Sequence, residues 1–231
     1  MKTIGLIGGM SWESTVTYYK IINETVKEKL GGLHSAKILM CSVDFDEIER
    51  CQSSGEWSRS AEILSDAAQR LEAAGADFIV ICTNTMHKVA PEVQASVSVP
   101  LLHIATVTAR RLKEAGISTV GLLGTSYTMT QAFYVDVLKD AGIDVLIPKG
   151  DDIQLVNGII FDELCVGTIR EVSKNHLLRI IADLCRRGAQ GVILGCTELG
   201  LLVSPVDVDL PVFDTAIIHA EEAALEALGQ S

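Results

Sequence analysis

The chain has 231 residues, 48% of them apolar, and a formal net charge of −11, enough apolar material for one large or two small cores. That acidic balance, with no local run of lysine or arginine to offset it, repels nucleic acid and anionic membrane surfaces, so neither is expected as a partner. Strand-like residues begin at Thr3, leaving no room for a signal peptide, and no apolar stretch nears the roughly 18 residues of a membrane span, so a soluble cytoplasmic protein is expected.

In chain order, a short apolar run, "TIGLIGG", leads into a helix-patterned stretch, "SWESTVTYYKIINETVKEKLGG", and then into a second apolar run, "AKILMCSVD". "DFDEIER" reads as an exposed acidic helix start, with Arg50 and Gln52 on a loop after the second strand. Further strands are expected at 77–82, 100–104, 118–124, 144–148, 191–195 and 210–214, with helices over Arg59 to Ala74, Thr106 to Ala115, Thr128 to Ala141 and Glu171 to Arg187. Strands alternating with longer helices predict α/β architecture with mainly parallel sheets. Six cysteines scattered through such a chain read as free thiols. They show no CxxC or HExxH spacing, so no metal is expected.

The chain also resembles itself. "IGLIGGMS" from Ile4 matches "VGLLGTSY" from Val120, "GADFIVICTNT" from Gly75 matches "GAQGVILGCTE" from Gly188, and "VPLLHIA" from Val99 matches "LPVFDTA" from Leu210. The order is the same in both halves, at offsets of 116, 113 and 111 residues. Two similar lobes follow, 1–105 and 106–212, related by a pseudo-twofold axis, with a closing C-terminal helix over 213–231. The ungapped match sets Thr83 on Cys196 and Cys82 on Gly195. Each of the first pair lies just past the carboxyl end of a buried strand, where open α/β sheets bind ligands. Cys82, one residue earlier on an alternating strand, is expected to point into packing.

"CTNT" and "GCTE" combine a thiol, hydroxyls, an amide and a carboxylate at what reads as a helix start. Such a start binds carboxylates and lowers a nearby thiol pKa, although Thr83 is also suited to a plain capping role. The turn "GLIGGMSWES" lacks GxGxxG spacing and a following ribose-binding acid, so it predicts close backbone approach to a small anion rather than a nucleotide. Its counterpart "GTSYT" offers Thr125, Ser126 and Thr128 as neutral donors. His87 is expected to bond nearby backbone, and Lys88 to be solvated rather than to carry a Schiff base.

At these residues the chain resembles the aspartate/glutamate racemase family: "IVICTNTMHK" and "VILGCTELGLL" stand where that family carries its two signature segments. The resemblance runs over essentially the whole chain and implies a two-lobed, homodimeric enzyme that inverts a carbon next to a carboxylate without metal or pyridoxal cofactor. In such enzymes two cysteines flank the substrate carbon. The second is Cys196; where the family places the first, directly before Asn-Thr, this sequence has Thr83. A hydroxyl is a much poorer base than a thiolate, so the resemblance implies a lopsided site that handles L-aspartate and L-glutamate.

Around this small dicarboxylic amino acid the resemblance implies Met10, Thr83, Asn84, Thr85, Thr125, Ser126, Cys196, Thr197 and Glu198, with Gln52 near the distal carboxylate. Some relatives carry a basic residue at the Gln52 position and a lysine in the stretch matching "FDELCVG", where Cys165 stands here. The alternatives are a related cysteine-based hydantoin racemase, arylmalonate decarboxylase or maleate isomerase, and a non-catalytic amino-acid-binding relative.

Overall fold

The computed structural model describes residues 1–230. They form two compact units: Met1–Ile104 together with the chain from Ala216 onward, and Ala105–Thr215.

The first unit is built on β1 (Ile4–Gly8), α1 (Trp12–Leu30), β2 (Ile38–Ser42), α2 (Phe45–Ser54), α3 (Trp57–Ala73), β3 (Phe78–Ile81), α4 (Ala90–Ala95) and β4 (Leu101–Leu102). Its sheet is parallel throughout, in the order β2-β1-β3-β4. Both faces are covered, which is why its two central strands are continuously apolar rather than alternating. Helix α3 buries Ala61, Leu64, Ala68 and Leu71, a stripe at helical spacing, in one apolar cluster with Ile7, Ile79 and Ile81. On the other face, Tyr18, Ile22 and Val26 of α1 join Leu6, Phe78, Val80 and Cys82. Cys82 is fully buried in that cluster, as strand alternation requires.

The second unit begins within α5 (Ile104–Glu114) and continues with β5 (Thr119–Gly124), α6 (Ser126–Thr130), α7 (Ala132–Asp140), β6 (Asp144–Leu146), α8 (Asp152–Gly158), α9 (Glu171–Arg186), β7 (Val192–Gly195) and β8 (Val212–Asp214). Its parallel sheet has the order β6-β5-β7-β8, repeating that of the first unit element for element. The last helix, α10 (Thr215–Leu228), packs Ala216, Ala220, Ala223 and Ala224 into the first unit's core. Among the described residues no helix is long and apolar enough to cross a membrane.

Two expectations are corrected here. The single helix over Thr128 to Ala141 is two helices, because Gln131 is extended (φ −100°, ψ 150°) and ends α6 as it starts α7. The Thr130 hydroxyl bonds the Ser126 carbonyl at 2.6 Å and closes off the short first helix. Arg50 and Gln52 lie on α2, not on a loop: Asp44 caps that helix by accepting from the Asp46 N–H at 3.2 Å, and Arg50 pairs with Asp46 on its surface.

A cluster of three histidines sits in the first unit, with ring centroids of His87 4.7 Å from His103 and 5.6 Å from His219. His219 must donate from Nε2 to the Leu102 carbonyl (2.9 Å), so its Nδ1 accepts from the Tyr18 hydroxyl (2.8 Å). Burial and mutual repulsion push His87 well below its ordinary pKa, while burial takes His103 to about 4 and His219 to about 3. The folded chain therefore keeps these rings neutral while the unfolded chain takes up protons below about pH 6.5. Stability is full above that value and falls as pH drops towards 4 and 3, by at most about 1.4 kcal/mol per pH unit for each ring. The urea midpoint should drop between pH 7 and pH 5, and His103→Asn should flatten that dependence; a midpoint independent of pH over this range would contradict the buried neutral cluster.

Candidate active site

In each sheet the chain leaves the two central strands in opposite directions, so the crevice at their carboxyl ends is a topological switch point, the usual ligand site of such folds. Register decides which residues stand there. Ile7 pairs with Ile81 in the first unit and Leu123 with Leu194 in the second, and the ungapped repeat equates these two pairs. Continuing past the strands, Gly9 and Thr83 emerge side by side in one unit, and Thr125 and Cys196 in the other. A slip that put Cys82 on Cys196 would break this pairing and pull a buried core side chain out of its cluster.

Thr83 has both of its main-chain polar groups engaged. Its N–H donates to the Ile81 carbonyl at 2.9 Å and its carbonyl accepts from His87 Nδ1 at 2.8 Å. Its partly exposed hydroxyl bonds nothing among the described residues, so Thr83 does not act as a helix cap. Asn84, Thr85 and Met86 follow into a short 3-10 turn (Thr85–Val89) and are almost wholly buried. Gln52 lies beneath them, its amide donating to Met86 Sδ at 3.0 Å. Met10 is 3% exposed within the same apolar cluster as Met86, which leaves its main chain as the part able to meet a ligand.

The glycine turn has a cause within the protein as well. At Gly9 (φ +94°) an added Cβ would lie 2.2 Å from the Val43 carbonyl, so the passing backbone of Val43 by itself demands glycine. In the second unit, Gly124 and Gly195 pair across β5 and β7, and a Cβ on Gly124 would lie 2.9 Å from the Gly195 carbonyl. Their close approach brings Thr125 and Cys196 out together. Thr125 caps α6, accepting from the Thr128 N–H at 3.3 Å, and Thr128 is fully buried. The Ser126 N–H donates to Asn157 Oδ1 at 2.8 Å.

Cys196 is 8% exposed, and its thiol donates to Glu198 Oε2 at 2.9 Å; the same oxygen accepts from the Thr197 hydroxyl at 2.7 Å. The expectation of a lowered thiol pKa is reversed. Burial first, then the Glu198 charge and neighbouring Cys165, push the thiol well above its ordinary value. The turn that follows, Leu199–Leu201, is too short to supply an opposing helix field. Cys196 thus rests as a thiol with a proton acceptor already bonded to it. Lys88 also departs from expectation: it is partly buried, with Nζ 3.8 Å from the Trp57 ring centroid. All six cysteines are free, and among the described residues no group of three or more His, Cys, Asp or Glu is placed to hold a metal ion.

A family model for Asp/Glu/hydantoin racemases matches residues 7–223. The chain belongs to this family. It is 27% identical over 229 residues to the broad specificity amino-acid racemase RacX of Bacillus subtilis, covering 94% of this chain and 95% of that one. A crystal structure from Yersinia pestis, assigned to the Asp/Glu racemases, is 55% identical, with 99% of this chain and 100% of that chain covered and a TM-score of 0.93. An aspartate racemase homologue from Pyrococcus horikoshii is 38% identical, with the same coverage and a TM-score of 0.86.

In this member of the family, Asn157 was not legible in the sequence as a neighbour of the candidate site, and Cys165 was singled out only through the resemblance. Asn157, on α8, positions Ser126; α8 follows β6 as α2 follows β2, but without a sequence match that would have pointed to it. Cys165 follows a π-helical turn, Ile159–Glu163, and reaches the surroundings of Cys196. Arg179 on α9 holds α8 through Asp152, and Ser173 holds the π turn through Glu163 at 2.6 Å.

Proposed function

We propose that this protein racemises L-aspartate and L-glutamate without a cofactor, Cys196 serving one face of the α-carbon and Thr83 the other. The observation that carries the reading is the hydrogen-bonded pair of the buried Cys196 thiol and Glu198, at the same position of the repeat as a threonine whose hydroxyl is unengaged. Cys196 passes its proton to Glu198 and, as thiolate, takes the α-proton of the L-acid; the reverse transfer returns it. Thr83 relays a proton to the opposite face, where its high intrinsic pKa makes the step slow. Main-chain and hydroxyl donors at Asn84, Thr85, Thr125, Ser126 and Thr197 hold the carboxylate and the charge that spreads onto it. The reading includes a cytoplasmic homodimer, as the resemblance implies.

Gln52 and Cys165 stand where some relatives carry cations, which weakens the hold on a distal carboxylate and widens the acceptable chain length. A second reading therefore keeps the chemistry and changes the substrate, and the broad specificity named for the Bacillus subtilis relative favours testing it. Purified protein should be offered L-aspartate, L-glutamate and a panel of neutral and basic L-amino acids, with products read by chiral chromatography. Production of the D-form of both acidic substrates supports the proposal. Inversion confined to other amino acids would replace the substrate, and tight calorimetric binding without inversion would mark a binding protein.

Glu198→Gln tests the proton path. Removing the charge should lower the Cys196 thiol pKa, read as thiolate absorbance in an alkaline titration, yet slow inversion by about 10²-fold, the scale of losing a positioned proton acceptor. A faster variant would show that the carboxylate only hinders ionisation.

A further inference from the structure

We propose that His87 is a positioning residue for Thr83, its imidazole fixing the Thr83 carbonyl and so the direction of the Thr83 hydroxyl. The inference rests on the reading of Thr83 given above. His87 is 1% exposed and uses both ring nitrogens: Nδ1–H donates to the Thr83 carbonyl at 2.8 Å, and Nε2 accepts the Ile104 N–H at 3.2 Å. Because a carbonyl can only accept and an N–H can only donate, the neutral Nδ1–H tautomer is the one that satisfies both.

The ring cannot turn away. His103 and His219 flank it at 4.7 and 5.6 Å, and His219 is itself fixed by Tyr18 and Leu102. With the Thr83 N–H held by Ile81, the whole Thr83 backbone is tied down while its hydroxyl is left to act. The second unit uses another device. The repeat places Gly200 where His87 stands in the first, and there Cys196 is aimed by a side-chain bond from its own sulfur to Glu198. Thr85, the counterpart of Glu198, offers no carboxylate beside Thr83. A backbone clamp is the means of orientation found in the first unit, and misplacement by about 1 Å is enough to cost on the order of 10²-fold in such transfers.

Two substitutions separate positioning from packing. His87→Asn keeps a donor near the Nδ1 position, facing the Thr83 carbonyl, but cannot reach Ile104. His87→Gln extends its amide to the Nε2 position and can accept from Ile104, but offers nothing to Thr83. Each loses one buried hydrogen bond, so a purely structural role would lower melting temperature and activity alike in both. The readout is the rate at which the D-enantiomer forms, divided by the rate at which L-aspartate or L-glutamate takes up α-deuterium in D2O. We expect His87→Asn to stay within about threefold of the wild-type ratio and His87→Gln to lose about tenfold or more. Equal ratios in both variants, whether kept or lost, would overturn the proposal. In the unsubstituted protein, ¹⁵N-histidine NMR should show His87 as the neutral Nδ1–H tautomer, and an Nε2–H tautomer would overturn it without any variant. Thr83→Ala separates the two ideas: if it leaves inversion unchanged, the reading of Thr83 fails first; if it abolishes inversion while both His87 variants keep the wild-type ratio, only the role of His87 fails.

Discussion

Cys196→Ala should bring α-deuteration of L-aspartate and L-glutamate in D2O down by about 10³-fold or more, the scale expected when the group that makes the reacting bond is lost. The expectation follows from isolation. Cys196 is 8% exposed, its sulfur has the Glu198 carboxylate at 2.9 Å, and Thr125 and Thr197 around it carry hydroxyls that ionise far above neutral pH. Truncation also leaves Glu198 without its thiol donor while the Thr197 hydroxyl still bonds it, so the fold should survive and ligand binding should be measurable by calorimetry. A variant that binds the acid and still exchanges its α-proton at the wild-type rate would move the chemistry away from Cys196.

Thr83→Cys is expected to act in the opposite direction, raising inversion by about 10²-fold. A thiol ionises far more readily than a hydroxyl, and here it would replace a partly exposed side chain whose hydroxyl bonds nothing among the described residues, so little packing is disturbed. The gain must be the same from either enantiomer. Because the two forms have equal free energy, kcat/KM is equal in both directions for any variant, and Thr83 cannot favour one product. What changes is the balance between exchange and inversion: deuterium uptake into the L-acid, which depends on Cys196, should hold steady while inversion rises to meet it. Unchanged inversion in a variant that still binds ligand would show that Thr83 has no part in proton transfer.

Much of the architecture was legible because the chain encodes it twice. The strand at Ile4–Gly8 and its repeat at Thr119–Gly124 are apolar runs that end in glycine, and the pairing of Ile7 with Ile81 matches that of Leu123 with Leu194. Strand alternation was enough to set Cys82 in the core and to turn attention to Thr83. What stayed hidden depends on separation along the chain or on chemistry between neighbours. Tyr18 and His219 meet across 201 residues, and no local pattern announces them. That the Val43 carbonyl crowds position 9 and demands glycine there is a contact across 34 residues that no local pattern shows. The Cys196 thiol pKa depends on burial and on a carboxylate two residues away, whereas the sequence alone showed only an apparent helix start.

The measurement that bears most directly on this account uses the unmodified protein. Incubated in D2O with L-aspartate or L-glutamate, it should place deuterium at the α-carbon of the remaining L-acid faster than the D-acid accumulates, because the thiol side returns protons more readily than the hydroxyl side delivers them. Appearance of the D-acid as fast as, or faster than, label in the L-acid would contradict the lopsided pair of Cys196 and Thr83. Absence of both label and D-acid would contradict the racemase itself.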